Sequence, residues 1–239
     1  MKESKVNIIC LYWLGDFRGR DFSLNDVERL HKTVSKHIDR PFEFYVITNT
    51  TEDLPEHMNR VEMKYDWPGW WGKTLLHDPA LPIPQRRTLY MDLDSHCISS
   101  LAPILDYLPE NDDLMMFPTG IADRKRDRLE REIPKWVVRY QAATMLFTPG
   151  KASSMRKVWE KFMLEPPYWM RKYRSEQDIM GEWTPNLIMM PRKWYCKLQS
   201  CEKHFKDSPP KDVIIVTGQD KTALFRNTHR IPWFEQVAR

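Results

Sequence analysis

Two aspartates one residue apart, Asp92 and Asp94, close an apolar run that begins Thr88-Leu89-Tyr90-Met91. Side chains alternate along a β-strand, so the pair would point one way and Leu93 would turn into the core. Adjacent carboxylates repel, which raises the cost of keeping both charged. A divalent cation removes that cost. Mg²⁺ or Mn²⁺ takes one or two carboxylates, with water and substrate phosphates completing an octahedron. Strand-end aspartates also serve as turn residues, and a D-x-D triplet arises by chance, so its position decides. Here an apolar strand runs into Asp-Leu-Asp, then Ser95, then a short helix. In an open α/β sheet the ligand crevice lies outside the carboxyl ends of the strands, where this triplet falls. The pattern predicts metal–phosphate binding.

Other residues suit parts of such a site. Lys73 and Lys221 can meet a diphosphate as point charges, or stay solvated. Tyr12 can stack on a base or pack in the core, and Thr48 or Asn49 can bond a base edge. Asp178 follows Gln177 at an expected helix start, where it can cap the helix or act as a general base. Of Trp70 and Trp71, one is expected in the core and one against a sugar or acceptor. Cys196-x4-Cys201-x2-His204 resembles half a zinc site, but no second ligand pair follows, so the cysteines are read as thiols.

These residues need a scaffold. Val6–Trp13 reads as a buried strand. Ser23-x-x-Asp26 forms a capping-box pattern ahead of Leu24, Val27, Leu30, Val34 and Ile38 at helical spacing, and Phe44–Thr48 is a second strand. The opening is therefore β-α-β, which implies a largely parallel sheet. Residues 53–84 read as loop with a short helix near Thr74–His77. Strands are expected at Thr88–Asp92, Asp113–Phe117, Ala143–Phe147 and Val213–Val216, and helices at Leu101–Leu108 and Ser153–Met163. The fold class is α/β: a Rossmann-type, mostly parallel sheet flanked by helices, one domain over residues 1–239.

Composition agrees. The 239 residues are 41% hydrophobic and 29% charged, a folding composition. Mean hydropathy is −0.62 and no apolar run approaches membrane-spanning length. Eight glycines leave no Gly-rich phosphate loop, which argues against P-loop NTPases and Rossmann dehydrogenases. Four cysteines suit a reducing, cytoplasmic setting without a membrane. The net charge of +4 allows an anionic partner.

Leu89–Ser95 resembles the D-x-D segment of GT-A glycosyltransferases, which take sugar nucleotides as donors. Trp70-Trp71-Gly72-Lys73 is similar to the W-x-K segment of glycogenin-like and related bacterial enzymes. Tyr140–Gly150 resembles their N-S-x-V-M-L-F-x-P-G strand, and Glu176-Gln177-Asp178 their D-Q-D. Two departures stand out. Gln141-Ala142 replaces Asn-Ser, and Thr217 occupies the place of a metal-binding His, which leaves His229 as a tail ligand to consider. The resemblance implies a GT-A-like fold, with Mn²⁺ or Mg²⁺ on Asp92 and Asp94 and a nucleoside-diphosphate sugar as co-substrate. It implies donor contacts from Tyr12, Trp13, Thr48, Asn49, Lys73, Asp92 and Lys221, and catalysis by Asp94 and Asp178. The expected activity is hexosyl or pentosyl transfer to a hydroxyl. Basic runs at Arg124–Arg131 and Arg171–Arg174, the second interleaved with Tyr168, Trp169 and Tyr173, suggest a polyanionic acceptor. DNA with a hydroxymethylated base meets that description. The rivals are a polysaccharide or protein hydroxyl, a nucleotidyltransferase or sugar-nucleotide hydrolase, and a binding module.

Overall fold

The computed structural model describes residues 4–15, 22–118, 140–173, 175–184, 187–218, 231 and 233–234. In chain order the elements are β1 (Val6–Tyr12), α1 (Leu24–His37), β2 (Phe42–Thr48), β3 (Met58–Glu62), a 3₁₀ segment (Gly69–His77), β4 (Thr88–Met91), β5 (Ser95–Cys97), α2 (Ala102–Leu105), β6 (Met115–Pro118), β7 (Tyr140–Phe147), α3 (Ser153–Leu164), α4 (Pro166–Lys172), α5 (Glu176–Trp183), β8 (Ile188–Met189), a second 3₁₀ turn (Arg192–Trp194), β9 (Tyr195–Lys197), α6 (Leu198–His204) and β10 (Ile215–Thr217).

Seven strands pair in the order β3-β2-β1-β4-β7-β6-β8. Strands β1 to β4 run parallel, β7 is antiparallel to both β4 and β6, and β8 is parallel to β6. Only β7 is reversed, so the mostly parallel sheet read from the sequence is what forms. Both faces are covered, which is why β1 is almost continuously apolar. Ile8 and Cys10 face a core with Val27, Leu30 and Val34 of α1. Ile9 faces the opposite core, with Met155, Val158 and Phe162 of α3. A smaller sheet, β5-β10-β9, sits beside the first. Its inner face sends Cys97, Tyr195 and Ile215 into the α1-side core, and its outer face packs Cys196 and Val216 against Phe234.

Local chemistry fixes the ends of these elements. Ser23 and Asp26 form the capping box at the start of α1, with the Ser23 N–H donating to Asp26 Oδ2 at 2.8 Å. Gly150 turns the chain from β7 toward α3 at φ 73°, and a Cβ there would lie 2.8 Å from the Gln85 amide nitrogen.

Residues 53–84 depart from the loop expected there. They contain β3, an edge strand in which only Met58 and Val61 are buried, so it carries little apolar pattern. Cys201 Sγ lies 2.9 Å from Cys196 Sγ while His204 is exposed, so the three do not gather into a zinc site. No described helix is long and apolar enough to cross a membrane.

One stability prediction arises here. His77, buried in the 3₁₀ segment, has its imidazole pulled down by burial from 6.5 to about 4. The unfolded chain therefore takes up this proton first as pH falls. Stability should be complete above pH 6.5 and decline down to pH 4, by about 3 kcal/mol in total. Urea midpoints at pH 7 and pH 4.5 test this: wild type should lose stability that His77→Leu does not. Equal losses would remove His77 as the cause.

Candidate active site

Four elements pin the Asp92–Asp94 turn through its backbone. The Asp92 N–H donates to Ala143 O of β7 at 2.8 Å, and the Ser95 N–H closes a turn onto Asp92 O at 3.0 Å. Arg29 of α1 donates to Leu93 O at 2.6 Å, and the Gly218 N–H, just past β10, donates to Asp94 O at 3.1 Å. Leu93 is buried in the core as its alternation requires. The two carboxylates stand where the large sheet hands over to the small one.

Asp92 is already engaged. The Lys73 ammonium lies 2.7 Å from one of its oxygens and 2.8 Å from the other, and the Tyr90 hydroxyl donates to it as well. Lys73 also donates to Ala142 O at 3.4 Å and lies 3.5 Å from Glu176 Oε1. It is 8% exposed. Lys73 is therefore not a solvated lysine, and in this structure its charge is paired with protein carboxylates. The 3₁₀ segment causes this by burying every residue from Trp71 to His77.

One ammonium faces three carboxylates, and the deficit shows. Burial works against the Lys73 charge, but Asp92 and Glu176 outweigh it and hold the ammonium above the ordinary lysine range. Burial, reinforced by Asp92, pushes the Asp94 carboxyl up to about 8. Burial likewise lifts Glu176 to about 7, although Lys73 pulls it down. Asp94 Oδ1 and Glu176 Oε2 are sealed from solvent with no hydrogen-bond partner among the described residues. An orphaned, partly neutralised carboxylate pair is a donor set that suits a hard divalent cation completed by phosphate oxygens and water.

The sequence reading quoted Glu176 only as part of the D-Q-D match and gave the role to Asp178. Glu176 stands at the first position of α5, where an acidic residue reads as ordinary dipole complementation. Its importance comes from Lys73, a hundred positions earlier. Gln177 Oε1 accepts the Ala142 N–H at 3.1 Å, so α5 is tied to β7. A register shift between Met116 and Phe117 opens the β6–β7 ladder here and leaves Ala142 to Lys73 and Gln177. Asp178 is half-buried, and no ion pair or hydrogen bond among the described residues joins its side chain to the cluster.

The remaining expectations divide. The Tyr12 ring is core, 2% exposed, with its hydroxyl donating to Glu52 at 3.0 Å, so it offers no stacking face. Trp13 is half-exposed at the end of β1. The Asn49 amide is committed to the Leu14 backbone at 2.9 and 2.8 Å, and the Thr48 hydroxyl accepts the Thr50 N–H at 3.2 Å. Asn49 thus ties the loop after β1 to the end of β2, and Thr48 closes the turn that follows β2. Trp71 is buried and stacked on Phe162, while Trp70 is half-exposed. Thr217 pairs with Ser95 beside Asp94, and its hydroxyl bonds that of Tyr195. Lys221, His229 and Arg124–Arg131 lie outside the described residues.

No family model matches this sequence, and no curated protein matches it. Solved structures do. The chain is similar to the galactosyltransferase LgtC in complex with donor and acceptor sugar analogs, at 12% identity and TM-score 0.64, over 97% of this chain and 95% of that one. It is also similar to the apo-form glycosyltransferase GlyE of Streptococcus pneumoniae TIGR4, at 13% identity and TM-score 0.60, over 98% of this chain and 60% of that one. At such identities the likeness establishes the fold. It is GT-A-like, a mixed α/β architecture with a seven-stranded central sheet flanked by helices.

Proposed function

We propose that this chain is a glycosyltransferase that moves a sugar from a nucleoside-diphosphate donor to an acceptor hydroxyl. The observation that carries the reading is the Asp92/Asp94 pair at the end of β4 in a GT-A-like sheet, with Asp94 Oδ1 buried and without a partner among the described residues. In the reaction the bond from the anomeric carbon to the diphosphate oxygen breaks. The acceptor oxygen bonds that carbon and gives up its proton to a base, for which Asp178 is the candidate. A bound Mn²⁺ or Mg²⁺, held by Asp92 and Asp94, would neutralise charge on the departing diphosphate. Lys73 and Tyr90 fix the Asp92 carboxylate. Glu176, whose second oxygen has no partner among the described residues, suits a sugar hydroxyl, and Asp178 the acceptor side. Trp13 and Trp70 are the half-exposed aromatic faces. Lys221 and His229 keep the roles the resemblance gives them, diphosphate partner and third ligand. Four free cysteines suit a reducing, cytoplasmic setting.

For the acceptor we propose a polyanion, DNA carrying a hydroxymethylated base. What supports this is α4, which buries none of its residues. It exposes Tyr168 at 39% and sets Lys172 over the rings of Tyr168, Trp169 and Tyr173. Incorporation of labelled sugar into such a duplex, against unmodified duplex and glycan acceptors, decides the acceptor.

The donor is tested first. Each of the common nucleoside diphosphates is added with Mn²⁺ and the melting temperature read. At a hundredfold excess over Kd the matching one should stabilise the fold by about 2.7 kcal/mol, a rise of roughly 5–10 °C. A protein that responds to none, and turns over no sugar nucleotide, is not this enzyme.

A further inference from the structure

If Lys73 is spent on Asp92 and Glu176, another cation must meet the donor's charge. The small sheet holds a candidate. In β9, Tyr195 and Lys197 lie two positions apart and so share a face. The ladder pairs Lys197 with Thr217 and Thr217 with Ser95, the residue after Asp94. Ladder partners also share a face, so Lys197, Thr217 and Ser95 form a row ending beside the carboxylate pair. Cys196, between them, points the other way into the separate cluster with Val216 and Phe234. At the start of β9 Tyr195 stacks on Phe117 in the core and bonds Thr217, and at its end Lys197 is half-buried.

Lys197 differs from its neighbours in having no ion pair among the described residues. Arg29 is held by Asp26 and Leu93 O, Lys73 by Asp92 and Glu176, and Lys193 faces Asp212 at 3.6 Å. Burial lowers the Lys197 ammonium and the Asp94 carboxylate raises it, so each lies within the other's field. Partial burial disfavours the Lys197 charge, and a counter-ion offsets that cost. A partner that arrives with the substrate supplies one. Lysine is suited to phosphate as a strongly hydrated point charge with three donors.

We propose that Lys197 binds the donor's diphosphate on the Asp94 side of the site. This rests on the glycosyltransferase reading and adds a residue to it. Lys73 is committed to Asp92 and Glu176, so a cation other than Lys73 would meet the donor's charge beside the divalent ion and Lys221. Lys197 meets the phosphate oxygens while the metal-side carboxylates stay in place, and it withdraws charge from the leaving group as its bond to the sugar breaks.

The test is calorimetric titration of the protein with Mn²⁺ and three probes: inorganic pyrophosphate, the nucleoside diphosphate that wild type binds, and the corresponding nucleoside. Lys197→Met keeps the apolar stem and removes the charge, and Lys197→Gln replaces it should the first variant not fold. Affinity for pyrophosphate and for the diphosphate should fall about tenfold or more, as expected for one charge-assisted contact. Affinity for the nucleoside should not move. Lys197→Arg should recover most of the loss, and Lys193→Met should bind like wild type. A folded Lys197→Met protein with wild-type diphosphate affinity overturns the assignment of Lys197 and leaves the transferase reading intact. Equal weakening for the nucleoside also overturns it, because a bent site would act on every probe. Wild-type protein that binds neither pyrophosphate nor any nucleoside diphosphate overturns both.

Discussion

Asp94→Asn is expected to abolish sugar transfer and leave the fold as stable as wild type, or more so. The two outcomes share one cause. Asp94 Oδ1 is buried without a partner among the described residues, and burial beside Asp92 has already raised the carboxyl to about 8. The free protein gains little from the charge, and a neutral amide of the same shape removes a repulsion. A cation gripping a diphosphate needs that charge. The loss in kcat/KM should reach ~10³-fold, about 4 kcal/mol of transition-state stabilisation. Activity and melting temperature are measured on the same preparation. Normal transfer would sink the D-x-D assignment, and a large fall in melting temperature would make Asp94 a structural residue.

The second large effect is on stability. Lys73→Ala should cost about 3–5 kcal/mol, because it removes the buried counter-ion that Asp92 and Glu176 share. For a chain of this length that is roughly 6–20 °C in melting temperature. A solvent-exposed donor lysine would instead cost almost nothing in the free protein and weaken only nucleotide binding. Lys73→Met should be nearly as damaging as alanine, since volume is kept and charge is not. Glu176→Gln placed on top of either should restore part of the loss by removing a carboxyl whose counter-ion is gone. Urea unfolding of the four proteins tests the coupling. A cost below about 1 kcal/mol, the range of exposed pairs, would contradict the buried network.

How much of this was legible in the sequence follows from how local each feature is. Alternation put Leu93 in the core and both aspartates outside it, and that holds. The Ser23/Asp26 box and the apolar faces of α1 and α3 need only a few neighbouring residues to be recognised. The site's other half is made by residues distant in sequence. Nothing in Trp70-Trp71-Gly72-Lys73 says that a lysine will be buried, because lysine is almost never buried unless paired. The partners, Asp92 and Glu176, come from two separate elements. Glu176 reads as a helix-start acid, and Gln177 as any surface glutamine, until β7 opens its ladder at Ala142. Strands of two or three residues, such as β8 and β9, carry no period to detect. Lys197 was invisible for that reason.

The ladder that joins Ser95 to Thr217 also sets an order of events. Strands β1 to β4 pair among neighbours and can form on the ribosome while most of the chain is unmade. β5 cannot pair until β10 has been synthesised, about half the chain later, and domains build from the amino end at about 5–20 residues per second. For several seconds a nascent chain therefore carries both aspartates without the β10 backbone that fastens Asp94. Competence to grip a charged ligand arrives only once β10 has been made, when the sheet behind it is already complete.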